Sequence, residues 1–191
     1  MKAALFMLII VSIACQAQEM PKPEDQIKVA VLAAPADLRD GALVLGYNSK
    51  GELATLRNGS NELVCLGDDP KQKGINVSCY HKDLEPFMAR GRELKALGKS
   101  FQEVFDAREA EAKSGKLEMP KHPSTLYVLT ADAWDAATGT TTNSYLRYVI
   151  YIPYATAEST GLPLKPGAPG MPWIMDPGTH RAHIMISPAK N

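Results

Sequence analysis

Residues 65–97 read CLGDDPKQKGINVSCYHKDLEPFMARGRELKAL, and this stretch decides the fold. Ile75, Val77 and Cys79 alternate with Asn76, Ser78 and Tyr80, which predicts a strand with Cys79 on its core face. Cys65 closes a preceding run, Glu62–Leu66, and Asp68–Gly74 supplies a solvated loop between the two. A Cys65–Cys79 disulfide would staple the pair around a loop of about 15 residues, stabilising the fold by about 3 kcal/mol. Asp83 is placed to cap a helix with Pro86 in its first turn. Leu84, Phe87, Met88, Gly91, Leu94 and Leu97 then recur at helical spacing.

Upstream, Asp25–Ala34 reads as a short helix ended by Pro35, with a strand over Ile27–Leu32 as the competing pattern. Ala42–Tyr47, Glu52–Arg57 and Glu62–Leu66 are short apolar runs separated by Asn/Gly-rich turns, the pattern of an antiparallel meander. Downstream, Gly98 ends the first helix, and Ser100-Phe101-Gln102-Glu103 is a capping box opening a second that runs to about Lys113. Thr125–Thr130 and Tyr145–Ile152 are the strongest strand candidates, joined by an exposed connection around Trp134. Pro153–Pro177 reads as irregular, and Ala182–Ser187 as a last strand. Strands, two consecutive helices and strands again predict one α+β domain with a mainly antiparallel sheet packed against those helices.

The 191 residues carry 21 basic and 21 acidic side chains, which removes the usual argument for nucleic-acid binding. Lys2 followed by the apolar run Ala3–Ala14 reads as a signal peptide over residues 1–17, cleaved before Gln18. The run is shorter than the roughly 20 residues a bilayer span needs. Ser12-Ile13-Ala14-Cys15 offers an alternative, a lipid anchor on Cys15. Either way Cys65 and Cys79 remain as an even pair, and the mature chain has 20 basic against 21 acidic residues. Residues 18–24 read as a flexible tether and 25–191 as the domain. The expected location is periplasmic or extracellular.

No motif fixes a reaction. Gly98-Lys99-Ser100 lacks the spacing of a phosphate-binding loop, and no G-x-S-x-G elbow occurs. A Cys79–His81 nucleophile is incompatible with a disulfide. The turn from His81 to Arg92 is the leading ligand site, with His81, Glu85, Arg90, Arg92 and His183 as its residues. His81, His180 and His183 form the alternative metal set, with no cofactor otherwise expected. Tyr145, Tyr148, Tyr151, Tyr154, Trp134 and Trp173 bracket the Pro/Gly-rich loop and suggest a groove for a small molecule, glycan or peptide.

Three segments carry a resemblance: Cys79-Tyr80-His81 with Leu84–Glu93 (LEPFMARGRE), Tyr151–Glu158 (YIPYATAE), and Pro177-Gly178-Thr179 with Ala182–Met185 (AHIM). They resemble a group of uncharacterised exported bacterial proteins. The resemblance implies export from a bacterium and assigns no activity or site. The expected function is a non-enzymatic binding or structural module, with a metal-dependent or anion-binding histidine enzyme as the alternative.

Overall fold

The computed structural model describes residues 20–190. The expected signal peptide, with Cys15 and the cleavage site before Gln18, lies outside the described residues. The helices are α1 (Pro23–Ala30), α2 (Glu85–Ala96), α3 (Phe101–Lys113) and a single turn, α4 (Ala157–Thr160). The strands are β1 (Leu43–Tyr47), β2 (Leu53–Arg57), β3 (Leu63–Leu66), β4 (Ile75–His81), β5 (Ser124–Ala131), β6 (Ala133–Asp135), β7 (Thr140–Thr142), β8 (Tyr145–Tyr151), β9 (Trp173–Met175) and β10 (His183–Ile186). Eight of them form one sheet in the order β2-β1-β3-β4-β5-β8-β10-β9, and β6 and β7 make a separate hairpin. Every pairing in the large sheet is antiparallel except β1 with β3. The class is α+β, as expected.

Helix α1 starts on Pro23, two residues inside the expected tether, and carries Glu24 and Asp25 in its first turn, where they complement the helix dipole. Its Gln26 is buried and stitches the helix to the sheet. The amide Nε2 donates to the carbonyls of Pro21 (2.8 Å) and Tyr47 (2.9 Å), and Oε1 accepts from the Tyr47 N–H (2.8 Å). A 3-10 turn, Val31–Ala33, extends α1 across the sheet. Val29, Ala30, Val31 and Ala33 bury themselves there against Val44, Leu63, Cys65, Val77, Cys79 and Leu129. The opposite face packs Leu84 and Phe87 of the α2 region onto Val64, Tyr80, Leu126, Val149 and Tyr151. The sheet therefore lies between two helical layers, and β4 is buried on both sides at Cys79 and Tyr80.

Cys65 and Cys79 are directly opposed on β3 and β4 and form a disulfide, with Cα atoms 4.0 Å apart. Both are fully buried, and the Cys79 sulfur lies 3.3 Å from the Ala30 carbonyl oxygen, under the α1 layer.

Three local expectations are corrected. The first three strands are not a meander: β3 crosses back and pairs parallel with β1. The link does this because Ser60 and Asn61 N–H both donate to the Gly41 carbonyl, and Asn61 Nδ2 donates to Leu38. Gly59 passes so close that a Cβ there would sit 2.6 Å from Leu43 N. Asp83 does not cap α2. His81 Nδ1 accepts the Asp83 N–H instead and caps a 3-10 turn, Lys82–Leu84, that leads into the helix. The connection around Trp134 is exposed as expected, and it is shaped as the β6–β7 hairpin. The irregular stretch contains α4 and β9, too short to show a period. The capping box forms as read, with Glu103 N–H on Ser100 Oγ (3.3 Å) and Ser100 N–H on Glu103 (2.8 Å). Gly98, at φ 75°, closes α2 in the left-handed region.

Replacing both cysteines (C65A with C79A) should lower unfolding stability by about 3 kcal/mol. Urea denaturation of the double variant measures this, and an unchanged midpoint would show that the disulfide contributes nothing.

Candidate functional site

Directly opposed residues in a sheet share a face, so the pairing registers sort the candidate side chains. Leu43, Val64, Tyr80, Leu126, Val149, Met185 and Trp173 form one row across seven strands, facing α2 and α3. His183 opposes Tyr151 on the same face. His81 opposes Leu63, which packs beneath α1 on the other face. Two strands, β5 and β8, separate β4 from β10, which adds a lateral distance of about 14 Å. His81 and His183 therefore do not converge. Among the described residues no group of three or more His, Cys, Asp or Glu side chains is gathered to hold a metal. The metal set read from the histidines does not assemble.

His81 stays at the rim, 3.9 Å from Glu62 and 3.5 Å from Asp83. Glu85 and Arg92 are brought together, and with them a residue the site reading omitted, Tyr80. Its hydroxyl donates to Glu85 Oε2 (2.5 Å) and accepts from Arg92 Nη1 (3.0 Å), while Arg92 Nη2 donates to Glu85 Oε1 (2.6 Å). Burial raises the Tyr80 hydroxyl far above its ordinary value, Arg92 opposes and Glu85 adds to it. The phenol stays protonated and closes the triangle. Arg90 points elsewhere and ties α2 to α3 through two bonds to Glu111 (2.9 and 2.7 Å) and one to Glu93 (3.0 Å).

His180 and His183 sit in a second polar cluster, where the segments Leu84–Glu93, Tyr151–Glu158 and Pro177–Met185 meet. Glu109 Oε2 accepts from the His180 N–H (2.8 Å) and pairs with Nδ1 (2.6 Å), while Lys113 Nζ binds Oε1 (2.8 Å). Burial works against the Glu109 charge, yet Lys113 and the two His180 groups outweigh it and hold the carboxyl at about 2. The His180 ring is wholly buried against Phe105 (4.8 Å between ring centres) and Phe87 (5.7 Å). His183 stacks on Tyr151 at 5.2 Å, with Nδ1 2.7 Å from the Arg181 carbonyl. Arg108 lies 3.9 Å over the Phe87 ring, and burial lowers its guanidinium to about 10 against the pull of Tyr151. His180, His183 and Arg108 are buried between α2, α3 and the sheet and organise the interior, with Lys113 at the exposed edge.

The helices cover only half of their face. Leu45, Leu66, Ser78, Val128 and Arg147 form the next row of opposed residues, and all five are half-buried. In the row beyond, Thr130 and Tyr145 are half-buried and Asn76 is exposed. Tyr47 continues the same parity on β1. Burial raises its hydroxyl, Asp69 and Asp68 add to this, and Arg92 opposes, which places all four groups at one corner. The opposite corner opens into a cleft of about 390 Å³ that includes Tyr145, Pro166, Pro188 and Lys190. This uncovered half is the candidate site, a polar and aromatic surface floored by an apolar row.

The proposed aromatic groove is divided by the sheet. Tyr148 points to the α1 side, edge-on to Tyr127 at 6.1 Å, and Tyr151 is buried. Trp134 packs against the core beneath α1. Tyr154 lies at a separate cleft of about 390 Å³ with Lys121 and His122. It holds φ at 63°, unusual for a bulky residue, fixed by its N–H on the Thr179 carbonyl (2.7 Å). Only Tyr145 and Trp173 share the open side. Arg147 was missed although the sequence carried a signal: it falls on the parity of Val149 and Tyr151, a charge at core spacing in a central strand.

Comparison with known proteins finds no match among family models, curated proteins or solved structures.

Burial depresses both His180 and His183, with Glu109 and the Arg181 carbonyl opposing it. The unfolded chain takes up these protons near pH 6.5 while the folded chain resists them. Their contribution is complete above pH 6.5 and is lost as pH falls below it, by at most about 1.4 kcal/mol per unit for each group. The urea midpoint should therefore drop between pH 7.5 and 5.5, and His183→Gln should shrink the drop. A midpoint that rises on acidification would contradict this.

Proposed function

We propose that this chain is an exported bacterial binding module, acting in the periplasm or at the cell surface without catalysing a reaction. The observation that carries the binding reading is the uncovered half of the sheet beside α2. A sheet face is normally closed by helices or by a second sheet. Here the row from Leu45 to Arg147 stays half-open while Val64, Tyr80, Leu126 and Val149 of the adjacent row are buried. Hydroxyls of Tyr47, Ser78, Thr130 and Tyr145 and the Arg147 guanidinium line it, which suits a polar organic ligand with some apolar surface.

Export is supported by the buried Cys65–Cys79 bridge, a bond that persists in oxidising compartments, and by the apolar N-terminal run with small residues at its end. The non-enzymatic reading is supported by how the charged groups near α2 and α3 are used. Glu85, Arg90, Arg92, Glu109 and Glu111 are paired with one another or with fixed neighbours.

Protein recovered from the exported fraction of a bacterial host should begin at Gln18 by intact mass. A lipid on Cys15 would select the anchored form, and an unprocessed cytoplasmic chain would contradict export. The same sample, titrated with small organic molecules, should show amide NMR shifts gathered on Tyr47, Ser78, Val128, Thr130 and Arg147. Shifts confined to other surfaces would refute the binding face.

A further inference from the structure

All seven arginines of the chain are described, and six donate at least one hydrogen bond. Arg39, Arg57 and Arg108 donate to backbone carbonyls, and Arg90, Arg92 and Arg181 to carboxylates. Arg147 donates none among the described residues, and its Nε is shielded from solvent without a partner. A guanidinium is a planar fork of donors, and a buried Nε–H without an acceptor is an unmet donor that costs stability. The cost is relieved by a ligand that brings its own anion.

The surroundings define that ligand. The Arg147 guanidinium carbon is 5.9 Å from the centre of the Tyr145 ring, and Lys190 Nζ is 5.4 Å from the same centre. Neither cation has an ion-pair partner among the described residues. Tyr145 is held in place by its hydroxyl, which donates to the Pro188 carbonyl (3.1 Å). Its ring lines the cleft with Pro166, Pro169 and Pro188, and no acidic residue is in the lining. Lys190 lines this aromatic and proline-walled cleft of about 390 Å³, and Arg147, outside the lining, stands against the same Tyr145 ring; together the two cations match an anion attached to an apolar body. We infer that Arg147 and Lys190 form a site for a small organic carboxylate, whose carboxyl takes the guanidinium fork while its apolar part lies on Tyr145 and the prolines. This deepens the binding-module reading and rests on it, because it names the ligand class at one corner of the open face.

The test uses 4-phenylbutyrate as probe, with neutral 4-phenylbutyramide and plain acetate as controls, on the mature chain by NMR titration. The acid should bind about tenfold or more tightly than the amide, with shifts at Tyr145 and Arg147, and acetate should bind more weakly than the acid. Arg147→Gln should remove the preference for the acid. The acid–amide comparison on the native chain stands even if that variant fails to fold. Equal binding of acid and amide, no binding of the acid, or an undiminished preference in folded Arg147→Gln overturns the inference. Shifts from other molecules at Tyr47 and Ser78, unaffected by Arg147→Gln, would leave the binding face intact while the carboxylate site falls.

Discussion

A sheet has two faces, and the helices among the described residues close only part of one of them. On one side α1 and its 3-10 extension cover β1, β3, β4 and β5, with Cys65 and Cys79 joined beneath them. On the other, the α2 region covers the part of the sheet that carries Tyr80, Leu126, Val149 and Tyr151, and α3 packs beside it on Phe87 and His180. Strand β4 is the point on which both layers close, since successive residues Cys79 and Tyr80 are fully buried on opposite faces. A one-residue slip would exchange those faces and bring the sulfur out from under α1. Everything else in the fold follows from holding that register.

The distribution of charge follows from the same economy. Where helices meet the sheet, most buried or half-buried ions are paired: Arg92 with Glu85 and Tyr80, Glu109 with His180 and Lys113, Arg90 with Glu111; Arg108 has no carboxylate and is held by the Phe87 ring and carbonyl. These pairs hold the interfaces between the helices and the sheet. Arg147 lies on the uncovered half and keeps its donors. The contrast between spent and unspent cations is what separates framework from candidate site.

Much of this was legible in residues 65–113. Alternation in Ile75–Tyr80 placed Cys79 inward, and the spacing of Leu84, Phe87 and Leu94 and the capping box at Ser100 marked the two helices. What escaped depends on contacts remote in sequence. The parallel β1–β3 pairing is set by hydrogen bonds from Ser60 and Asn61 to Gly41, which no local turn rule encodes. The separation of His81 from His183 depends on which face each strand presents, and this requires the register of three ladders. Strand β9 is three residues long and cannot display a period. Arg147 stood out only once its row was known to be half-open. Its position between Tyr145 and Val149 was visible, but a charge at core spacing has no meaning until the covering helices are located.

The central claim is that one half of the α2/α3-facing sheet surface is sealed and the other half is accessible. Hydroxyl-radical footprinting read by mass spectrometry measures this side chain by side chain, and four tyrosines on that face serve as reporters. Tyr47 and Tyr145 should be oxidised rapidly, while Tyr80 and Tyr151, exposed by 0% and 5%, should be protected. Equal protection of all four would mean that the face is closed, and rapid labelling of Tyr80 or Tyr151 would mean that the helices do not cover it as described.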